Sequence, residues 1–84
     1  MPFFIITFRS VTYAQRGENL LKSARFRCNL SRTPRWTEEQ GCGYALRVYC
    51  EDISRAAELL RREGIPLRRI YFQRQDGSVE VVEA

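Results

Sequence analysis

The spacing of apolar positions changes along the chain, and each change marks a predicted element. Residues 3–8 form an unbroken apolar run rich in β-forming side chains, which is typical of a short strand buried inside a sheet. Thr12 and Gln15 then have capping-box spacing, so we expect a helix running to about Ala24. Its apolar face comprises Ala14, Gly17, Leu20, Leu21 and Ala24. The glycine in this face predicts close packing of the helix on the sheet.

Two strands with alternating faces follow this helix. Residues 25–30 alternate between an apolar set and a polar set, the pattern of a half-buried strand with one charged face. The apolar set is Phe26, Cys28 and Leu30, and the polar set is Arg25, Arg27 and Asn29. Residues 44–50 predict a third strand that ends at Cys50. Leu46 and Val48 lie on one of its faces, and Ala45, Arg47 and Tyr49 lie on the other.

The C-terminal part of the chain predicts a second helix and a hairpin. Asp52 is a helix cap, and Gly64 followed by Ile65-Pro66 ends the helix. Between them the apolar positions have i, i+3, i+4 and i+7 spacing: Ile53, Ala56, Ala57 and Leu60. Residues 68–74 predict a fourth strand, and Asp76-Gly77 is a hairpin signal that leads into a strand over residues 79–82.

The order of these elements predicts an α+β fold. It is the ferredoxin-like βαββαβ arrangement, an antiparallel sheet with two helices on one face, with a C-terminal hairpin strand in addition. A chain of 84 residues has room for one such domain, so we expect a single ferredoxin-like domain over residues 1–84.

Composition narrows the chemistry that this domain can perform. The chain has no histidine, which excludes imidazole bases, Ser-His-Asp and Cys-His pairs, and zinc sites that contain histidine. Three cysteines alone do not complete a tetrahedral metal site, and Lys22 is the only lysine available for Schiff-base chemistry. We therefore predict no metal, no cofactor and no independent enzymatic turnover.

Compartment and membrane association follow from the N-terminal run and the cysteines. The run over residues 3–8 is too short for a signal peptide or a membrane span and has no basic segment before it. Cys28, Cys42 and Cys50 form an odd set without CxxC spacing, which favours a reducing compartment. We expect a cytoplasmic protein that has no membrane segment.

A long connection is the first place to look for chemistry. It runs from about Ser31 to Gly43, and long loops in small domains are often functional. Cys42 lies between Gly41 and Gly43, where the lack of neighbouring side chains gives a partner access to the sulfur. Arg35 or Arg47 would lower the pKa of this thiol, whereas the acidic pair at 38–39 would raise it. The residues alone leave open a reactive thiol and a merely tolerated loop residue. Cys28, which alternates with apolar residues, is predicted to be a core residue.

The uncovered face of a ferredoxin-like sheet is a second candidate site. Residues 43–49 partly match the RNA-recognition signature, but Cys42, Leu46 and Arg47 depart from it where basic, stacking and core residues are required. Nucleic acid is therefore not the partner that this motif favours. Several arginines that we place on strands could instead form a patch that attracts an acidic partner or an anion: Arg25, Arg27, Arg68, Arg69 and Arg74.

A family resemblance covers about residues 3–73. Thr33-Pro34-Arg35 followed by residues 41–48, Gly-Cys-Gly-Tyr-Ala-Leu-Arg-Val, resembles the signature of a family of small bacterial proteins described as selenium/sulfur carrier-like. The similarity continues at Phe8-Arg9-Ser10, Ala14, Glu18, Leu20-Leu21-Lys22, Ala24, Asp52, Leu59-Leu60 and Gly64-Ile65. Family members typically have small, Ser-rich residues before the cysteine, where this chain has residues 36–41, Trp-Thr-Glu-Glu-Gln-Gly.

The resemblance implies a carrier in which Cys42 holds a persulfide or perselenide. It implies that Arg35 and Arg47 stabilise an anion or the thiolate, and that donor and acceptor proteins are the partners. Gly41 and Gly43, on either side of Cys42, are the predicted substrate-binding positions beside these arginines. The alternative is a non-catalytic binding or regulatory module that uses the open sheet face, through Tyr49, Tyr71 and the arginines, for RNA, a small anion or self-association. A redox sensor at Cys42 is a third hypothesis. Pairing of the edge strand over residues 79–82 would make a homodimer.

Overall fold

The computed structural model describes residues 3–32 and 43–83. Its elements are β1 (Phe3–Thr7), α1 (Val11–Ser23), β2 (Arg27–Arg32), β3 (Tyr44–Tyr49), α2 (Ile53–Arg62), β4 (Ile70–Gln73) and β5 (Val79–Glu83). The five strands form one sheet in the order β2-β3-β1-β4-β5, and every neighbouring pair is antiparallel. The structure confirms the predicted α+β class and is consistent with the ferredoxin-like arrangement, with β5 added outside β4.

Strand β1 divides the apolar residues into two clusters because successive side chains point to opposite faces of the sheet. Its register aligns Phe4 with Val48 and Phe72, whereas Ile5 aligns with Arg47 and Tyr71. The larger cluster packs beneath the helices and includes Phe4, Ile6, Phe8, Leu21, Leu46, Val48, Leu60 and Ile70. The smaller cluster lies on the face that α1 and α2 leave uncovered, here called the open face: Ile5, Ala45 and Tyr71, with Phe3 and Val79 packed against them.

Helix α1 begins two residues earlier than its capping-box signal indicates. Ser10 is the N-cap, with extended backbone angles of φ −143 and ψ 159, and its Oγ accepts a hydrogen bond from the Tyr13 N–H at 3.2 Å. The prediction of a cap at Thr12 was wrong, because Thr12 already lies inside the first turn, where it is exposed. The helix ends at Ser23, and Ala24, which was expected on the apolar face, is exposed.

Gly17 is a position at which α1 closely approaches the sheet. A Cβ added there would lie 3.1 Å from Phe8, 3.3 Å from Leu46 and 3.3 Å from Leu60. These contacts come from the chain after β1, from β3 and from α2, so one glycine allows α1 to pack against all three. The predicted close packing at this glycine is confirmed.

Helix α2 has the predicted cap, face and end. The Asp52 carboxylate accepts a hydrogen bond from the Ser54 N–H at 3.0 Å, and hydrogen bonds from Ser54 hold the pKa of Asp52 below its ordinary value. The four predicted apolar positions are buried: Ile53, Ala56, Ala57 and Leu60. Gly64 has φ +73, and the Ile65 N–H bonds back to the Leu60 carbonyl at 2.9 Å, which closes the helix end.

Several predicted strand boundaries were wrong. Arg25 is not in a strand; it has φ +71 in the turn after α1, where Phe26 N–H bonds to the Leu21 carbonyl. Arg68 and Arg69 precede β4: the Arg68 N–H bonds to the Thr7 carbonyl and the Thr7 N–H to the Arg69 carbonyl, but the Arg69 N–H bonds to the Thr7 hydroxyl, so the pairing there is irregular. Arg74 follows β4. The start of the long connection was also set too early, because β2 extends through Ser31 and Arg32, which align with Ala45 and Tyr44.

The two edge strands of the sheet differ in how far they are covered. At the β2 edge, the Leu30 N–H donates to the Glu18 carboxylate at 2.9 Å, and the same carboxylate lies 3.3 Å from the Lys22 ammonium. At the other edge, β5 exposes 56% of Val81 and 45% of Val82. The β5 edge is therefore the edge suited to strand pairing, and the homodimer stays a prediction.

Two exclusions apply to the described residues. Neither α1 nor α2, the helices in that part of the chain, has the length and apolar character needed to cross a bilayer. Within residues 3–32 and 43–83, no three His, Cys, Asp or Glu residues form a group that could hold a metal ion.

We expect the substitution Ser10→Ala to lower the free energy of unfolding by about 1 kcal/mol, because it removes the acceptor for the Tyr13 N–H. Thr12→Ala is the matched control and should change it by less than about 0.5 kcal/mol. Urea unfolding of both variants measures the difference. A larger loss for Thr12→Ala would contradict the assignment of the cap.

We expect Gly17→Val to lower the free energy of unfolding by about 2 kcal/mol, because the added methyl groups crowd Phe8, Leu46 and Leu60. Asn19 is exposed on the same helix, so Asn19→Val controls for the introduction of a β-branched residue and should cost less than about 0.5 kcal/mol. If urea unfolding gave the same loss of free energy for both variants, the close approach of α1 to the sheet at Gly17 would not be the cause of the loss.

Candidate functional site

The candidate carrier site adjoins the start of β3. Gly43 is exposed, its φ is +80, and among the described residues no atom outside its chain neighbours lies within 4 Å of the position that a Cβ would occupy. The described residues therefore leave space at this position, but the left-handed backbone favours glycine over other residues. Tyr44, the next residue, already pairs with Arg32 in the sheet. Gly43 thus sets the direction in which the chain enters β3.

Three of the predicted site residues lie outside the described part of the chain. They are Arg35, Gly41 and Cys42. Their predicted roles, with Cys42 as the sulfur-bearing residue, stay predictions.

The structure places Arg47 in the middle of β3 on the open face. It aligns with Ile5 on one side and Asn29 on the other, and its guanidinium carbon lies 5.1 Å from the centroid of the Phe3 ring. Arg47 is four positions along the chain from Gly43, about 13 Å of extended strand. Because Phe3 lies beside Tyr49, the guanidinium is directed towards the end of β3 that is remote from Gly43. Its predicted contact with the Cys42 thiolate therefore needs the side chain to turn back along the strand.

The thiol of Cys28 is poorly suited to nucleophilic chemistry. Cys28 is 8% exposed in the core beneath the helices, which confirms its predicted place. Burial raises the pKa of its thiol above the ordinary value, and the negative charge of Glu18 raises it further. The thiol is protonated at neutral pH, and a protonated thiol is a weak nucleophile.

Cys50 follows β3 and is half-buried. Burial raises the pKa of its thiol, against the opposing effect of a hydrogen bond from the backbone of Asp52. Both described cysteines are free thiols, and the register aligns Cys28 with Val48, not with Cys50. Neither described thiol therefore has the lowered pKa that activates a cysteine.

A cluster of aromatic and basic side chains occupies the other end of β3 on the open face. The rings of Phe3 and Tyr49 lie 5.5 Å apart, and Arg27 and Asn29 on β2 align with Tyr49 and Arg47. We call these five residues the aromatic–arginine patch: Phe3, Arg27, Asn29, Arg47 and Tyr49. Tyr49 and the arginines were predicted on this face from the sequence, whereas Phe3 was not, because its position follows from the same alternation only once β1 is aligned with β3.

The register also explains why the RNA-recognition signature fits this strand poorly. Its stacking positions fall on Tyr44 and Leu46, which share the helix-covered face with Val48. Tyr44 lies 5.9 Å from the Arg32 guanidinium, and Leu46 is fully buried in the core. The residues that reach the open face are Arg47 and Tyr49, because a shift of one residue exchanges the two faces of a strand.

The fold and the candidate site define a small ferredoxin-like α+β protein. In this protein Gly43 immediately precedes β3, and the open face of the sheet has no helix packed on it. The chain belongs to the family whose model is described as "Putative Se/S carrier protein-like", which matches residues 3–72. The match ends within β4, so β5 lies beyond it. No curated protein and no solved structure matches the chain.

We expect Cys28 and Cys50 to react with iodoacetamide more slowly than free cysteine at neutral pH, because a raised pKa leaves less thiolate. Their rates should still be rising above pH of about 8.5, the ordinary midpoint of a thiol. Peptide mass spectrometry at a series of pH values resolves each cysteine. A rate for either residue that reaches its plateau below that pH would contradict the burial argument.

Proposed function

We propose that the protein carries sulfur or selenium between partner proteins as a persulfide or perselenide on Cys42. The observation that carries this proposal is membership of the selenium/sulfur carrier-like family over residues 3–72, a range that includes Cys42. A carrier also needs one accessible thiolate, and the two other cysteines have raised pKa values and restricted exposure. In this proposal Cys42, the remaining cysteine, holds the transferred sulfur or selenium.

The transfer requires no change in the total number of electrons. The Cys42 thiolate attacks the terminal sulfur of a donor persulfide, the donor S–S bond breaks, and its electron pair leaves with the donor thiolate. The new S–S bond makes Cys42 the persulfide. An acceptor thiolate then attacks the terminal sulfur and releases the Cys42 thiolate. The same exchange with a terminal selenium transfers selenium.

The flanking residues have separate roles in this proposal. Gly41 and Gly43 leave the space beside the sulfur free for a partner thiol, which agrees with the open surroundings and left-handed backbone of Gly43. Arg35 and Arg47 stabilise the thiolate or the terminal anion through their positive charge, and Arg47 does so after its guanidinium leaves the Phe3 ring and turns towards Gly43. No group in this scheme turns over by itself, so the protein acts with a donor and an acceptor and not as an independent enzyme.

We expect incubation with a cysteine desulfurase and cysteine to add the mass of one sulfur atom to the full chain, and reduction with a thiol to remove it. Peptide mapping should place this sulfur on Cys42. Cys42→Ser should abolish the addition. Cys50→Ser is the matched control, because it makes the same substitution at the cysteine that follows β3, and it should leave the addition unchanged.

Two results would contradict the proposal. One is sulfur distributed equally over the three cysteines, since that indicates chemical modification without a defined site. The other is an absence of sulfur on Cys42 both with the desulfurase and with a small-molecule persulfide, since the second donor requires no docking surface.

A further inference from the structure

The aromatic–arginine patch contains an arginine, Arg47, that forms no salt bridge within the described residues. Its Nε is buried and has no hydrogen-bond partner among those residues, while its guanidinium lies over the Phe3 ring. The buried Nε is out of a ligand's reach, whereas the outer guanidinium nitrogens can donate charge-assisted hydrogen bonds to an incoming anion. The contact with Phe3 also restricts the side chain, which lowers the entropy that a ligand must remove.

The charged residues at the open-face positions of strands β1–β4 are all positive and lie on β2 and β3. The open-face positions of these strands are Phe3, Ile5, Thr7, Arg27, Asn29, Ser31, Ala45, Arg47, Tyr49, Tyr71 and Gln73. Arg27 and Arg47 are the only charged residues among them. Neither forms a salt bridge with a carboxylate in the described part of the chain. The face is therefore complementary to a negatively charged ligand.

The aromatic rings restrict what kind of anion the patch fits. Phe3 and Tyr49 are half-buried, with their rings 5.5 Å apart and tilted by 51°, and both belong to the face that carries the two arginines. A small inorganic anion would use the arginines and leave the rings without a role. A ligand that alternates negative groups with flat rings uses both kinds of side chain, and this is the chemistry of a nucleotide chain.

We propose that the aromatic–arginine patch binds single-stranded nucleic acid. A base stacks on Tyr49, and backbone phosphates bind Arg27 and the outer nitrogens of Arg47, whose guanidinium covers the Phe3 ring. The strand must be single, because a duplex hides the faces of its bases from the sheet. Since stacking and phosphate contacts do not read base edges, binding tolerates many sequences. This function is additional to sulfur or selenium transfer and uses the opposite end of β3 from Gly43.

The first test measures the contribution of the ring at position 49. We expect the full chain to raise the fluorescence anisotropy of a labelled oligouridine of about eight nucleotides at low salt, with a Kd of about 10⁻⁵ M. Tyr49→Leu, which keeps an apolar side chain but removes the ring, should weaken binding about tenfold. Tyr49→Phe keeps the ring and should bind as the unchanged protein does, which separates stacking from an effect on folding.

The second test counts the phosphate contacts through salt dependence. Two contacts predict that log K falls with log salt concentration with a slope of about −1.4, because each phosphate contact to a single strand contributes about −0.7. Arg27→Gln should reduce the slope by about 0.7. Arg55 is exposed on α2, away from the open face, so Arg55→Gln makes the same change in net charge and should leave the slope unchanged.

Three results would overturn the proposal. The first is no anisotropy change with the oligouridine at low salt. The second is equal affinity for an oligoglutamate with the same number of charges, since that ligand has no rings to stack. The third is an equal loss for Arg27→Gln and Arg55→Gln. Cys42→Ser should bind the oligonucleotide normally, and Tyr49→Leu should accept sulfur normally, so failure of either function is distinguishable from failure of the other.

Discussion

The hydrogen bonds of β1 to β3 on one side and to β4 on the other determine where every other element lies. A strand paired along both edges has no freedom to slip, because a shift by one residue would move Ile6 out of the core and Ile5 into it. With β1 fixed, the helices have one apolar surface to cover. Gly17 brings α1 close to it, and Leu60 of α2 meets α1 at the same place. The open face is thus a direct consequence of the pairing of β1.

The elements best predicted from sequence are those in which several local signals agree. Helix α2 has a capping aspartate, four correctly spaced apolar residues and a terminal glycine, and the structure has all of them. The start of α1 was missed because Ser10 and Thr12 are both acceptable caps locally, and the choice depends on how the chain leaves β1. Arg69 was misplaced in a strand because the Thr7 hydroxyl captures its N–H, a contact between residues 62 apart in sequence.

Part of the candidate site was predicted from the sequence, and there is a physical reason why the other part was not. The strand alternation alone was enough to put Arg47 and Tyr49 on the uncovered face, because alternation is a local property. The contact between Phe3 and Tyr49 required the alignment of two strands that are more than forty residues apart. The pKa directions of Cys28 and Cys50 required burial and the position of Glu18, which no residue spacing reveals. The direction in which the pKa of a thiol is shifted therefore has to be determined from the tertiary structure around it.

The contact between Glu18 and the Leu30 N–H also limits how copies of this chain can assemble. Growth of a sheet from molecule to molecule needs two free edges on every copy, one to accept a strand and one to offer the next. Here the carboxylate already occupies a donor on the β2 edge, and only the β5 edge presents exposed valines. Repeated addition of copies would need the β2 edge as well as the β5 edge, so a carboxylate that holds one donor of the β2 edge disfavours open-ended growth of the sheet.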